Sequence, residues 1–175
     1  LLVAAGLWRQ RSAPADAPFL ILILVQVLWL IAYALELAST SPEAVLTWYR
    51  VKFVAVFTLP TLWCVFVLAY ARRTAWLRLP RLALLLAFAA LSLLLTLTND
   101  AHGLIWRSLS AVPQPPGFTV LRVLGPWLFL YVAHSLALVL VAAGVLVDLY
   151  RGASRTTRQR ILLLLAAWVL PALAM

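Results

Sequence analysis

The sequence predicts an all-α fold, a polytopic transmembrane helical bundle. Three observations carry the prediction. Of its 175 residues 66% are hydrophobic. Several apolar stretches reach the roughly 18–20 residues needed to cross a hydrocarbon core of about 30 Å. The few charged residues gather in short links between those stretches. A soluble domain of this size needs a polar surface that this composition cannot supply. A transmembrane β-barrel needs apolar and polar residues to alternate over about ten positions, and runs such as Leu82 to Leu95 show no alternation.

Leu1 to Trp8 is expected to be the end of a partial first span (1–8), followed by Arg9-Gln10-Arg11. Pro14 and Pro18 suit a turn and a first helical turn. The second span is predicted over 17–38, long enough at about 1.5 Å per residue to cross the bilayer. Ser39 to Glu43 is a tight link in which Ser41 suits an N-cap and Pro42 the first helical position. The third span, 43–70, contains Pro60, which removes a backbone hydrogen bond and predicts a kink. A basic link with Trp76 runs from Arg72 to Arg81. The fourth span, 82–98, is rich in Leu and Ala and ends at Thr98-Asn99-Asp100-Ala101-His102-Gly103-Leu104-Ile105-Trp106. A Pro-rich loop through Pro113, Pro115, Pro116 and Gly117 is expected next. The fifth span, 126–149, begins at Gly125-Pro126. A basic link precedes a partial sixth span, 161–175. One domain, 1–175, is expected, truncated at both ends, because the chain opens at Leu1 and closes at Met175 within apolar runs.

The net charge of +9 would suggest nucleic acid in a soluble chain. Here the cations sit between membrane spans, and no nucleic-acid partner is expected. Taking the links alternately, one side collects ten of the 14 Lys and Arg residues, and the other collects Arg50, Lys52, Arg107 and Arg122. The excess of positive charge assigns the first side to the cytoplasm. Thr98–Trp106 is then extracytoplasmic. Cys64, the single cysteine, lies in an apolar run and suits packing.

Several marks occur in order: Trp29, Ala34-Leu35-Glu36-Leu37, Trp48 with Lys52, Pro60, Tyr70, the Thr98–Trp106 element, Gly125-Pro126, Tyr131, Arg158-Gln159 and Pro171. With these the chain resembles the bacterial N-terminal seven-transmembrane sensor region found ahead of histidine kinases and diguanylate cyclases. The Thr-Asn-x-x-His-x-x-x-Trp element is the most specific of them. The resemblance implies a multi-pass protein of the bacterial inner membrane and a two-component-type receptor domain. Such a domain receives an extracytoplasmic or membrane cue. A seventh helix then relays the cue to a cytoplasmic output module in the same polypeptide. Receptors of this class are expected to dimerise. The competing class is a small-molecule permease, or another integral-membrane component without signalling output.

Two constellations are candidates for ligand binding. Glu36 and Lys52, with Arg50 nearby, fall at similar depth on antiparallel helices joined by a tight link. A charged group inside a span costs about 2.5–3.5 kcal/mol on insertion scales, so a partner is expected. The pair suits either a structural ion pair or the polar floor of an outward pocket. Asn99, His102 and Trp106 share one face if the fourth span continues as a helix past Thr98. They suit either an interfacial helix end or a recognition surface, with His102 as a pH-sensitive element. Asp100 lies beside them. Catalytic residues, a metal and a cofactor are not expected: no Gly-x-Ser-x-Gly or His-Glu-x-x-His occurs, and His134 is the only other histidine. Tyr131, His134 and Gln26 are expected to hydrogen-bond across the bundle. Trp8, Trp48, Trp76, Trp106 and Trp127 are expected in interfacial belts, and Trp29 and Trp63 deeper.

Overall fold

The computed structural model describes residues 15–115 and 117–173; the expected partial first span lies outside the described residues. Among these, five long helices, a 3-10 turn (Thr74–Leu77, between α2 and α3), a short helical turn and one antiparallel hairpin occur; in order, the α-helices and strands are α1 (Asp16–Ala38), α2 (Pro42–Tyr70), α3 (Leu79–Leu97), α4 (Asn99–His102), β1 (Trp106–Gln114), β2 (Gly117–Leu124), α5 (Pro126–Gly152) and α6 (Arg155–Leu173). Among the described residues α1, α2, α3 and α5 are long and apolar enough to cross a membrane. The protein is an integral membrane protein.

Helix α2 is the centre of the bundle: 67% of its most apolar window is buried, against 6% for α1, 17% for α3 and 22% for α5. The flanking helices therefore turn rows of leucine outward, Leu84 and Leu97 on α3 and Leu140 on α5 among them, as lipid-facing surfaces do. Local chemistry sets the bounds of α2. The Ser41 hydroxyl accepts from the Ala44 N–H at 3.3 Å, and Pro42 stands in the first turn. At its far end the Arg73 N–H donates to Leu68 O at 2.8 Å and the Arg72 N–H to Ala69 O at 3.0 Å, with Arg72 at φ 55. This is a Schellman ending with arginine where glycine is usual.

The segment after α4 differs from the expected loop. Its strands pair from Trp106 opposite Leu124 to Gln114 opposite Gly117, with a bulge between Trp106 and Ser108. Pro113 is accommodated because in a two-stranded sheet every strand is an edge, and an edge residue can lack a ladder N–H.

Two packed regions hold the bundle. Toward the hairpin, Tyr49, Phe53 and Phe57 of α2 meet Ile105, Trp106 and Tyr131. Toward the opposite end, Trp63, Phe66 and Val67 meet Ala142, Leu146 and Ile161, with Phe19 of α1 against Phe66. That second end carries Arg72, Arg73, Arg78, Arg81 and the arginines that flank the α5–α6 link, and is called the basic end below.

Candidate functional site

The hairpin end is built on the turn that terminates α4, the short continuation of α3. Gly103 adopts φ 63, a left-handed conformation that ends the helical path. The expected continuous helix through Trp106 is therefore absent, and Asn99, His102 and Trp106 do not share a helical face. Asn99 instead turns inward. Its Oδ1 accepts from the N–H groups of Ile105 (2.9 Å) and Trp106 (3.1 Å), and its Nδ2 donates to Trp106 O at 2.9 Å. One side-chain amide thereby satisfies three backbone groups that would otherwise be left without partners.

The return strand closes on the same turn. The Gly125 N–H donates to Ile105 O at 2.8 Å and the Trp127 N–H to Leu104 O at 3.0 Å. A Cβ at position 125 would fall 2.1 Å from Leu104 O, so only glycine fits. Trp106 is consequently buried, not part of an interfacial belt: its ring packs edge-on to Phe53 at 4.9 Å and beside Tyr49 at 5.8 Å. Burial against α2 withdraws the indole from the outer surface where the sequence suggested it.

His102 stays at the surface with both ring nitrogens engaged. The Leu104 N–H donates to Nδ1 at 3.0 Å, and Nε2 lies 3.1 Å from Thr98 Oγ1, whose own hydroxyl donates to Leu94 O. In this arrangement Nδ1 serves as the acceptor. A proton on Nδ1 would abolish the Leu104 bond. Asp100 holds Arg50 through two hydrogen bonds of 2.9 and 3.3 Å, both side chains being well exposed. Such a surface pair contributes at most about 1 kcal/mol.

Glu36 and Lys52 do meet. Lys52 Nζ lies 2.5 Å from Glu36 Oε2, and the two side chains are only 12–13% exposed. The ammonium is also flanked by aromatic faces, 5.0 Å from the centre of Tyr33 and 4.7 Å from that of Tyr49, favourable placements for a cation. The Tyr49 hydroxyl accepts from Arg122 of β2 at 2.7 Å. The pair is thus joined to the hairpin, and Arg50 is directed elsewhere.

Tyr33, Tyr49 and Arg122 were not among the sequence candidates. A signal for the tyrosines exists: Tyr33 precedes Glu36, and Tyr49 precedes Lys52, by three residues, so each shares a helix face with its charged neighbour. Arg122, a lone cation in an apolar strand, carries a weaker one.

From Tyr49 a row of rings descends α2. Phe53 lies 5.1 Å from Tyr49, Phe57 lies 5.5 Å from Phe53, and Tyr131 of α5 stands edge-on to Phe57 at 4.6 Å. The row ends at the proline. Pro60 has no N–H to offer the carbonyl four residues back, Val56, and the Tyr131 hydroxyl donates to that carbonyl at 2.5 Å. Of the other polar groups at depth, Trp127 Nε1 donates to Ser92 Oγ at 3.0 Å. His134 instead stacks on Phe88 with its Nε2 unpaired.

Among the described residues no three His, Cys, Asp or Glu side chains gather as metal ligands would. Ion pairs, hydrogen bonds and ring contacts link the residues of this end. The family model described as the N-terminal 7TM region of histidine kinase matches residues 1–175. No curated protein and no solved structure matches the chain.

Proposed function

The chain belongs to the N-terminal 7TM region of histidine kinases, a membrane sensory input domain rather than a catalytic module, and from that premise we propose that its hairpin end receives an extracytoplasmic or membrane-borne cue. The hairpin end then lies outside the bacterial inner membrane and the basic end in the cytoplasm. The charge asymmetry supports this orientation, since ten of 14 cations belong to the opposite side. The cue acts on the hairpin-end surface that carries Asp100, His102 and Arg122, over the Glu36–Lys52 pair and the buried Tyr49, Asn99 and Trp106, and a seventh helix carries the response to a kinase or cyclase module in the same polypeptide.

One observation carries the reading. The half-buried Glu36–Lys52 pair is tied by Tyr49 and Arg122 to a hairpin that presents Leu121 and Val123 to the outside. Moving the hairpin would alter the surroundings of a charge pair placed inside a membrane span, where small geometric changes have large electrostatic consequences. A cue operates on it by binding two arrangements of the bundle with different affinity.

The test uses the full-length receptor in intact cells. Cysteines placed at Ser108 and Ser154, with Cys64 replaced by alanine, report topology: a membrane-impermeant maleimide is expected to label position 108 and spare position 154. Basal output is measured in parallel for Arg122→Gln and Lys52→Met. A shift in output with unchanged amounts of inserted protein supports the reading. Labelling at 154 instead of 108, or wild-type output from both variants at wild-type protein levels, would refute it.

A further inference from the structure

Between α5 and the end of α2, at the basic end, two adjoining clefts of about 330 and 300 Å³ share Arg73, Val145 and Asp148. Their volumes fall within the range of small-ligand sites, about 300–1,000 Å³. The groove has an apolar wall and a charged rim. Leu68, Val141 and Gly144 line its membrane-facing part, and Trp76 stands at its mouth, about half exposed. Gly144 borders open space: a Cβ there would meet no atom within 4 Å. At the rim Arg73 pairs with Asp148 while both side chains remain more than half exposed, so each charge is available to a second partner. Arg72 borders the same cleft, held at φ 55 where glycine is the usual residue. Helices α2 and α5 both finish at this rim, so the negative ends of two helix dipoles converge on it.

We propose that this groove binds a phospholipid with a primary-amine headgroup, of the phosphatidylethanolamine type. An acyl chain lies along Leu68, Val141 and Gly144. The phosphodiester accepts from Arg72 and Arg73, whose guanidinium groups match its oxygens. The ammonium donates to the Asp148 carboxylate and faces the two helix C-termini. Trp76 sits at the depth where interfacial indoles are favoured. The juxtaposed carboxylate and arginines choose among lipids. A phosphatidylglycerol headgroup offers the same phosphodiester to Arg72 and Arg73 but no ammonium to neutralise Asp148, leaving the net charge at the rim more negative. A phosphatidylcholine headgroup brings a quaternary ammonium with no N–H to donate.

The full-length receptor, delipidated in mild detergent, is offered an equimolar mixture of the three lipids, and retained lipid is counted by native mass spectrometry. Wild type is expected to retain the ethanolamine lipid at least threefold over each of the others. Asp148→Asn is expected to erase that preference and bring phosphatidylglycerol to parity or above. Gly144→Leu, which fills the groove from a position with free space, is expected to lower retention of the ethanolamine lipid at least threefold in a receptor that remains folded. Equal retention of the three lipids by wild type would overturn the proposal. So would a preference that survives Asp148→Asn, or retention unaffected by Gly144→Leu, which would mean that protein rather than lipid fills the groove.

Discussion

Replacing Tyr131 with phenylalanine isolates a single hydrogen bond at the centre of the bundle. Pro60 leaves Val56 O without its helical donor, and the Tyr131 hydroxyl supplies one at 2.5 Å. Phenylalanine keeps the ring that packs edge-on to Phe57, so the change removes an oxygen and little packing. Hydrogen bonds between membrane helices average about 0.6 kcal/mol and reach about 1.7 kcal/mol. A buried acceptor left unpaired costs about 1–3 kcal/mol. Here the acceptor has no competing helical donor, which places the expected loss at about 1–2 kcal/mol, a factor of roughly 5–30 in the folded-to-unfolded ratio. The second arm is Pro60→Ala, which restores an N–H to Val56 O and makes the tyrosine hydroxyl redundant. Reversible unfolding of the receptor by titration with denaturing detergent gives both values. Tyr131→Phe is expected to cost about 1–2 kcal/mol with Pro60 present and under about 0.5 kcal/mol in the Pro60→Ala background, the difference being the coupling energy. Equal losses in the two backgrounds would show that the hydroxyl does not serve the carbonyl that proline exposes.

Three further changes probe the helix ends. Asn99→Ala leaves the N–H groups of Ile105 and Trp106 and the Trp106 carbonyl without their partner, and is expected to destabilise by about 2–4 kcal/mol; fluorescence-detected size exclusion should show a reduced folded fraction. Gly125→Ala is expected to abolish the folded receptor in the same assay, since its Cβ would overlap Leu104 O, whereas Gly117→Ala, with open space around it, should leave the yield unchanged. Arg72→Gly relieves a left-handed conformation and is expected to stabilise against thermal unfolding by about 1 kcal/mol, an outcome reversed if the guanidinium contributes more at that site than its backbone costs.

The helices were legible because apolar length is a local property of the chain, and integral membrane character follows from it without tertiary information. The Glu36–Lys52 pair was legible for a related reason. The link from Ser39 to Ser41 is too short for anything but antiparallel neighbours, and two charges of opposite sign at one depth within apolar spans have few alternatives. The hairpin was not legible. Its strands carry three of the chain's polar Ser and Thr residues (Ser108, Ser110 and Thr119), and Pro113 looks like a loop residue unless its strand is known to be an edge. Asn99 was misplaced for a different reason. Helical spacing put it beside His102 and Trp106, but the left-handed Gly103 breaks that register, and only the three-dimensional turn reveals which backbone groups need an amide.

The marks that identify the family divide by what they do in the structure. Asn99, Trp106 and Gly125 serve one junction, where α3 turns into the hairpin and the hairpin returns to α5. Pro60 and Tyr131 serve another, where α5 satisfies the interrupted hydrogen bonding of α2. Residues committed in this way cannot vary with the cue, because changing them removes backbone partners or creates overlap. Under the proposed reading, specificity for a cue resides in side chains free of such duties: Arg50 with Asp100, and the outer hairpin face carrying Leu121 and Val123. Arg122 and Tyr49 stand between the two groups, in contact with the hairpin on one side and with Lys52 on the other. Exchanging the outer hairpin residues is then expected to change which conditions alter output while leaving the unfolding midpoint within about 0.5 kcal/mol of wild type. Exchanging the junction residues should do the reverse, and a cue preference that followed Asn99 or Gly125 instead would overturn the division.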